Sequence, residues 1–142
     1  MLIVTVLRAK GDGVVTVPPS ATVRELLDTL AQHRIGAVIV SSGAGIAGIV
    51  SERDVVRHLR AGPDLLDQPV ARIMTTDVVT CRRETPVEEL MTTMTERRIR
   101  HVPVIDDHGV IIGIVSIGDL VKSRISELEG ERDDLVGYIG AR

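Results

Sequence analysis

Three features of the 142-residue chain predict an α/β fold of two β-α-β-β-α repeats packed about a pseudo-twofold axis. The first is self-similarity. A shift of 64 residues lays Val15-Thr16 on Val79-Thr80, Val23-Arg24-Glu25 on Val87-Glu88-Glu89, and Leu26, Leu27 and Leu30 on Leu90, Met91 and Met94. The second is the pairing, in each copy, of one apolar helix face with two short aliphatic strands, too little for a core of its own. The third is the ending: after one residue inserted in the second hairpin, Gly48-Ile49-Val50-Ser51 meets Gly113-Ile114-Val115-Ser116, and Asp54 meets Asp119. Packed face to face, two such copies leave two related clefts between them.

Taken in order, LIVTVLRA is rich in β-branched residues and reads as a strand by propensity, broken at residues 10–13. Residues 14–17 form a short strand stopped by Pro18 and Pro19. Thr22 and Glu25 make a capping box, and Val23, Leu26, Leu27, Leu30 and Ala31 recur at helical spacing, so a helix starts here and stops at Gly36. Residues 37–40 and 46–50 are strands around a Ser/Gly turn, and Ser51 opens a helix that ends near Leu59. The repeats then span residues 10–60 and 74–122, joined by a connector over 61–73 that starts with the breakers Gly62 and Pro63. The second copy holds the densest functional stretch, RRIRHVPVIDDHGVIIGIVSIGDL: a basic helix end, a hairpin, and a Ser-x-x-Asp helix start. Residues 123–142 continue the last helix, with Val121, Ile125, Leu128, Leu135 and Ile139 on one stripe and Gly130 and Gly137 weakening it by up to ~1 kcal/mol each.

Composition narrows the function classes. The chain is 44% hydrophobic with a single aromatic, Tyr138, so a ring-shaped ligand would meet aliphatic side chains and peptide groups. One cysteine, Cys81, excludes an intramolecular disulfide and a multi-thiolate metal site, and suits a reducing cytoplasm. No stretch reaches the ~18 apolar residues of a membrane span. Net charge is −3, and the tail over 123–142 carries three Arg against five acidic residues, so no broad basic face for nucleic acid is expected. His33, His58, His101 and His108 lack ligand spacing, and no nucleophile has a base beside it. Cys81 reads as a small semi-buried thiol equivalent to Val17. Gly43-Ala44-Gly45-Ile46-Ala47-Gly48 matches a dinucleotide fingerprint, but a strand follows where that fingerprint needs a helix, so it reads as a hairpin turn.

The paired x-V-P-V-I-D and G-I-V-S-x-x-D segments, repeated through most of the chain, resemble a tandem pair of CBS domains, the module named after cystathionine β-synthase. That resemblance implies a non-enzymatic regulatory module. Its expected ligand is an adenine nucleotide in the inter-repeat clefts (AMP, ADP, ATP, NAD(H) or S-adenosylmethionine), with no catalytic cofactor. It also implies a homodimer and a regulated protein partner. Carried over by position, Asp54 and Asp119 would hold ribose hydroxyls, Ser51 and Ser116 would lie near ribose or phosphate, and Arg100 and His101 would face phosphate. Lys10, Val79 and Thr80 complete the candidate set. The first repeat has Gly36 and Ala37 where the second has Arg100 and His101, so the clefts are expected to differ. One cleft would pair Ser51 and Asp54 with Arg100 and His101; the other would pair Ser116 and Asp119 with Gly36, Ala37 and Lys10.

The same residues support a plainer reading. Ser-x-x-Asp is also a helix cap, and basic residues at a helix end, Arg97 and Arg98 above all, complement its dipole. The alternative function is therefore a structural or protein-interaction module with vestigial clefts, the amphipathic tail supplying the contact surface.

Overall fold

A computed structural model describes residues 1–11, 13–43 and 45–140. Both repeats are present, each with its own aliphatic core. The chain runs through α1 (Ile3–Lys10), β1 (Thr16–Val17), α2 (Val23–His33), β2 (Ala37–Ser41), β3 (Ile46–Ser51) and α3 (Glu52–His58). It continues through α4 (Val87–Arg97), β4 (His101–Ile105), β5 (Ile111–Ser116) and α5 (Ile117–Gly140). In the first repeat β2 lies between β1, to which it runs parallel, and β3, to which it runs antiparallel; in the second, β4 and β5 form an antiparallel pair.

The opening segment is a helix, not the strand its β-branched residues suggest. A strand would turn Ile3, Val6 and Leu7 to different faces. A helix puts all three on one, where Ile3 and Val6 are buried in the second repeat's core and Leu7 packs beside them. Its first free amides are satisfied by backbone carbonyls, Ile3 N–H to Thr85 at 2.9 Å and Val4 N–H to Arg83 at 3.0 Å. Full burial of two such side chains contributes about 1.5–3 kcal/mol each, more than the propensity difference opposing it.

The first strand shortens in both copies. Only Thr16 and Val17 pair with β2 where residues 14–17 were expected. In the second copy Val79 and Thr80 form no strand; Cys81 makes a single bridge to Val104, donating its amide to Pro103 at 3.0 Å and accepting from Ile105 at 2.9 Å. Cys81 is buried, deeper than the sequence suggests, and burial pushes its thiol pKa up to about 12.

Helix α2 starts on the capping box foreseen at Thr22 and Glu25, both bonds at 3.1 Å. Its stop is Arg34, not Gly36. Arg34 is left-handed (φ 54°) and donates to the Ala31 carbonyl, while Ile35 donates to Leu30 at 3.1 Å; this pair of hydrogen bonds turns the chain and seats Ile35 on the core. Arg98 (φ 56°) ends α4 the same way and seats Ile99.

Residues 61–73 are more than a tether. They form short 3₁₀ turns, and Leu65, Val70 and Ile73 complete the first core. The glycine-rich match is a hairpin turn, with β3 continuing through Gly48; Ala44 lies outside the described residues. Helix α5 carries the tail as one 24-residue element through Gly130 and Gly137. No helix among the described residues is long and apolar enough to cross a membrane.

Candidate functional site

Each Ser-x-x-Asp sits where a hairpin's second strand becomes a helix. Ser51 donates its amide to Asp54 Oδ2 at 2.8 Å and its hydroxyl to the same oxygen at 3.1 Å, and the Asp54 amide donates back to Ser51 Oγ at 3.4 Å. Ser116 and Asp119 repeat this, with 2.8 Å and 3.1 Å for the two amide bonds. Both are capping boxes, so the structural role is real. It does not consume the carboxylate of Asp54: the cap uses Oδ2, and Oδ1 accepts no hydrogen bond from the described residues.

The cap also fixes the neighbouring strand. Ala37 is in register with Ser51 and His101 with Ser116. Just outside the strands, Glu52 N–H donates to Gly36 at 3.0 Å and Ile117 N–H to Arg100 at 2.8 Å. Residues 36–37 and 100–101 are thereby held at equivalent places beside the axis that relates the repeats.

Between the repeats lies a cavity of about 240 Å³. One wall carries Ser51, Asp54, Arg53 and Arg57, the other Arg98, Arg100 and His101, and residues 75–79 of the connecting chain run past both. The structure therefore brings together Ser51, Asp54, Arg100, His101 and Val79. Thr80 is exposed and does not line the cavity. Gly36 and Ala37 line this cavity as well, correcting their assignment to the second cleft. Arg98 lines it too, so its position serves more than the dipole of α4.

Arg53, Arg57, Arg98 and Arg100 make no guanidinium hydrogen bond or ion pair with any described residue, and only Glu52, Asp54 and Asp77 oppose them on the lining. Four guanidiniums without an ion-pair partner, against three carboxylates, leave the lining net positive and make the cleft a place for anions. Arg53 and Arg57 were missed in the sequence, yet they flank Asp54 at i−1 and i+3 on the same helix turn.

His101 is half-buried at the junction of the clefts. Burial lowers its pKa from the ordinary 6.5, and the charge of Lys10 pushes the same way, against the opposing influence of Asp119. It is in its neutral form near neutral pH.

The second Ser-x-x-Asp meets different company. Lys10, in the last turn of α1 and not in a loop, donates from Nζ to Asp119 Oδ2 and to the Ile114 carbonyl, each at 2.8 Å. Burial raises the Asp119 pKa, but the Lys10 ammonium and the Ser116 amide outweigh it and hold the carboxyl below its usual range. Lys10 is thus engaged with a carboxylate and is not turned to an open phosphate site. Among the described residues no cluster of three His, Cys, Asp or Glu side chains could hold a metal ion.

Comparison with known proteins agrees with this architecture. A mitochondrial CBS domain-containing protein of Arabidopsis thaliana is 39% identical over 124 residues; the match covers 83% of this chain and 60% of that relative's length. The crystal structure of a CBS-domain-containing protein from Agrobacterium tumefaciens superposes with a TM-score of 0.84 at 41% identity, covering 87% of this chain and 99% of the other. A CBS domain protein from Pyrobaculum aerophilum, solved complexed with AMP, superposes with a TM-score of 0.79 at 30% identity, covering 91% and 97%. The family model for the CBS domain matches twice, at residues 11–61 and 70–126. The chain belongs to the CBS domain family, as a tandem pair of its domains.

Proposed function

We propose that the cleft lined by Asp54 and Arg100 binds an adenine nucleotide, and that its occupancy is signalled to a protein partner. The observation that carries this reading is the opposition, across one cavity, of a carboxylate with a free oxygen and four unpaired guanidiniums. A ribose offers hydroxyl donors to the first, and a phosphate offers acceptors to the second. The aliphatic lining from Ile49, Val78, Val79 and Ile99 suits a purine face. The AMP complex of the Pyrobaculum relative supports the same ligand class. The excess of positive lining favours AMP, ADP, ATP or NAD(H) over the cationic S-adenosylmethionine. Asp54 and Ser51 then hold the sugar; Arg100, with Arg98, Arg53 and Arg57, holds phosphate. The role is regulatory, and the reducing cytoplasm keeps Cys81 a thiol.

A thermal-shift series with AMP, ADP, ATP, NAD(H) and S-adenosylmethionine tests this. A ligand at 100 times its dissociation constant stabilises the fold by about 2.7 kcal/mol. If none of the five gives a saturable shift below the millimolar range, the reading fails. The second reading, a contact module, has its own support in the exposed Ile125, Leu128, Leu135, Val136 and Ile139 of α5, which favour a homodimer through that helix.

A further inference from the structure

The 64-residue offset places Lys10 on Met74 and Gly11 on Thr75, and the two segments run past equivalent places of their repeats, the first repeat's bonding by its backbone and the second's by the Lys10 side chain. In the first repeat, Thr75 exchanges amide hydrogen bonds with Ile49 at 2.8 and 2.9 Å, and Met74 covers Gly48 so closely that an added β-carbon would stand 2.7 Å from its sulfur. In the second, Leu7 covers Gly113, a β-carbon there standing 2.6 Å from its Cδ2, and the Ile114 carbonyl, equivalent to that of Ile49, accepts from Lys10 Nζ. The segments differ at the carboxylate. Thr75 leaves Asp54 facing the cavity, whereas Lys10 carries its ammonium onto Asp119.

We propose that the second cleft is occupied by the chain itself: the ammonium of Lys10 sits on the Asp119 carboxylate where a nucleoside's hydroxyls would approach, neutralising its charge and leaving one open nucleotide site per chain. Lys10 bonds the same Oδ2 that caps Ser116, so it opposes a ribose by its charge and bulk at the carboxylate, and its bond to the Ile114 carbonyl, whose counterpart at Ile49 takes the Thr75 amide, anchors the ammonium there. Helix α1 holds it there, because Ile3 and Val6 are fixed in the second core and Lys10 follows Val6 by one turn on the same face. Lys10 is thus a residue that sets binding stoichiometry. The inference rests on the reading that the Asp of Ser-x-x-Asp meets the ligand.

Titration calorimetry of the full chain with AMP, and separately with adenosine, tests it. The wild type should bind one equivalent per chain, Lys10→Ala two, and Lys10→Ala with Asp119→Ala one again. Two equivalents on the wild type, or one on Lys10→Ala, overturns the proposal. Should Lys10→Ala not fold, Lys10→Met, which keeps the aliphatic stem and loses the ammonium, replaces it with the same outcomes. A wild type that binds neither probe defeats only the reading of the open cleft. The self-occupied site is then judged on the variant: one equivalent gained supports it, none overturns it.

Discussion

A β-carbon placed on Gly36 would stand 3.6 Å from both Cε1 and Nε2 of His101, so the bare backbone of the first repeat is what gives the second repeat's imidazole its place beside the axis. The mismatch between the repeats at these positions is therefore complementary. The contact distance is ordinary for one methyl group and leaves no room for a longer side chain. Gly36→Ala should leave stability and ligand binding near wild type, whereas Gly36→Arg should displace the imidazole and weaken AMP at least tenfold. Calorimetry on the two variants checks this.

The opposing walls of the cleft should separate by ligand. Arg100→Ala removes a charged partner of phosphate and should weaken AMP by about 1.5–3 kcal/mol while changing adenosine little. Asp54→Ala removes the ribose acceptor and should weaken both. If Arg100→Ala leaves AMP affinity unchanged, phosphate does not sit where proposed. Rising salt should weaken AMP more than adenosine.

Acid should destabilise the fold in two separate windows. His101 has its folded pKa lowered below 6.5, so the unfolded chain binds its proton first, and stability falls as pH drops from about 6.5 through the lowered value. Asp119 has its carboxyl pKa lowered below 3.8, so its contribution, present above that value, is lost only as pH falls through the folded pKa. His101→Gln should flatten the unfolding midpoint over the upper window and leave the lower one intact. An unchanged pH profile in that variant would place the loss elsewhere.

The two close-packed glycines should not be equal. At Gly48 a new methyl meets the Thr75 carbonyl at 2.8 Å as well as Met74, and backbone held in a bridge cannot step aside. At Gly113 it meets the tip of Leu7, which can rotate. Gly48→Ala should cost about 1–3 kcal/mol by overpacking, and Gly113→Ala clearly less. Denaturant unfolding of both variants measures the order.

The thiol and the tail give two simple checks. Cys81, buried and with its pKa at about 12, should resist a thiol reagent until the protein is unfolded. Light scattering should find a dimer, weakened by Leu135→Ser with Ile139→Ser; these side chains are 60% and 62% exposed and support no part of either core. A wild-type monomer at tens of micromolar would remove the second copy as the occupant of that helix face.

What the sequence determined by itself is whatever is local or repeated. Thr22 with Glu25, Ser51 with Asp54 and Ser116 with Asp119 announce helix starts because a cap needs only residues three apart. The 64-residue offset announces two copies and the clefts between them, and the resemblance to CBS pairs implies that one cleft joins Asp54 to Arg100. Tertiary structure decided what depends on a distant surface. Propensity makes LIVTVLRA a strand; the second core, some eighty residues away along the chain, makes it a helix, because only a helix turns Ile3, Val6 and Leu7 to the same side. Val79 and Thr80 have the right residues for a strand, but the chain reaches β4 only at Cys81. The fate of Asp119 could not be read from its motif at all. Its capping partner Ser116 matches the Ser51 of Asp54, and what sets it apart is Lys10, which lies 109 residues from it in sequence and 2.8 Å from it in space.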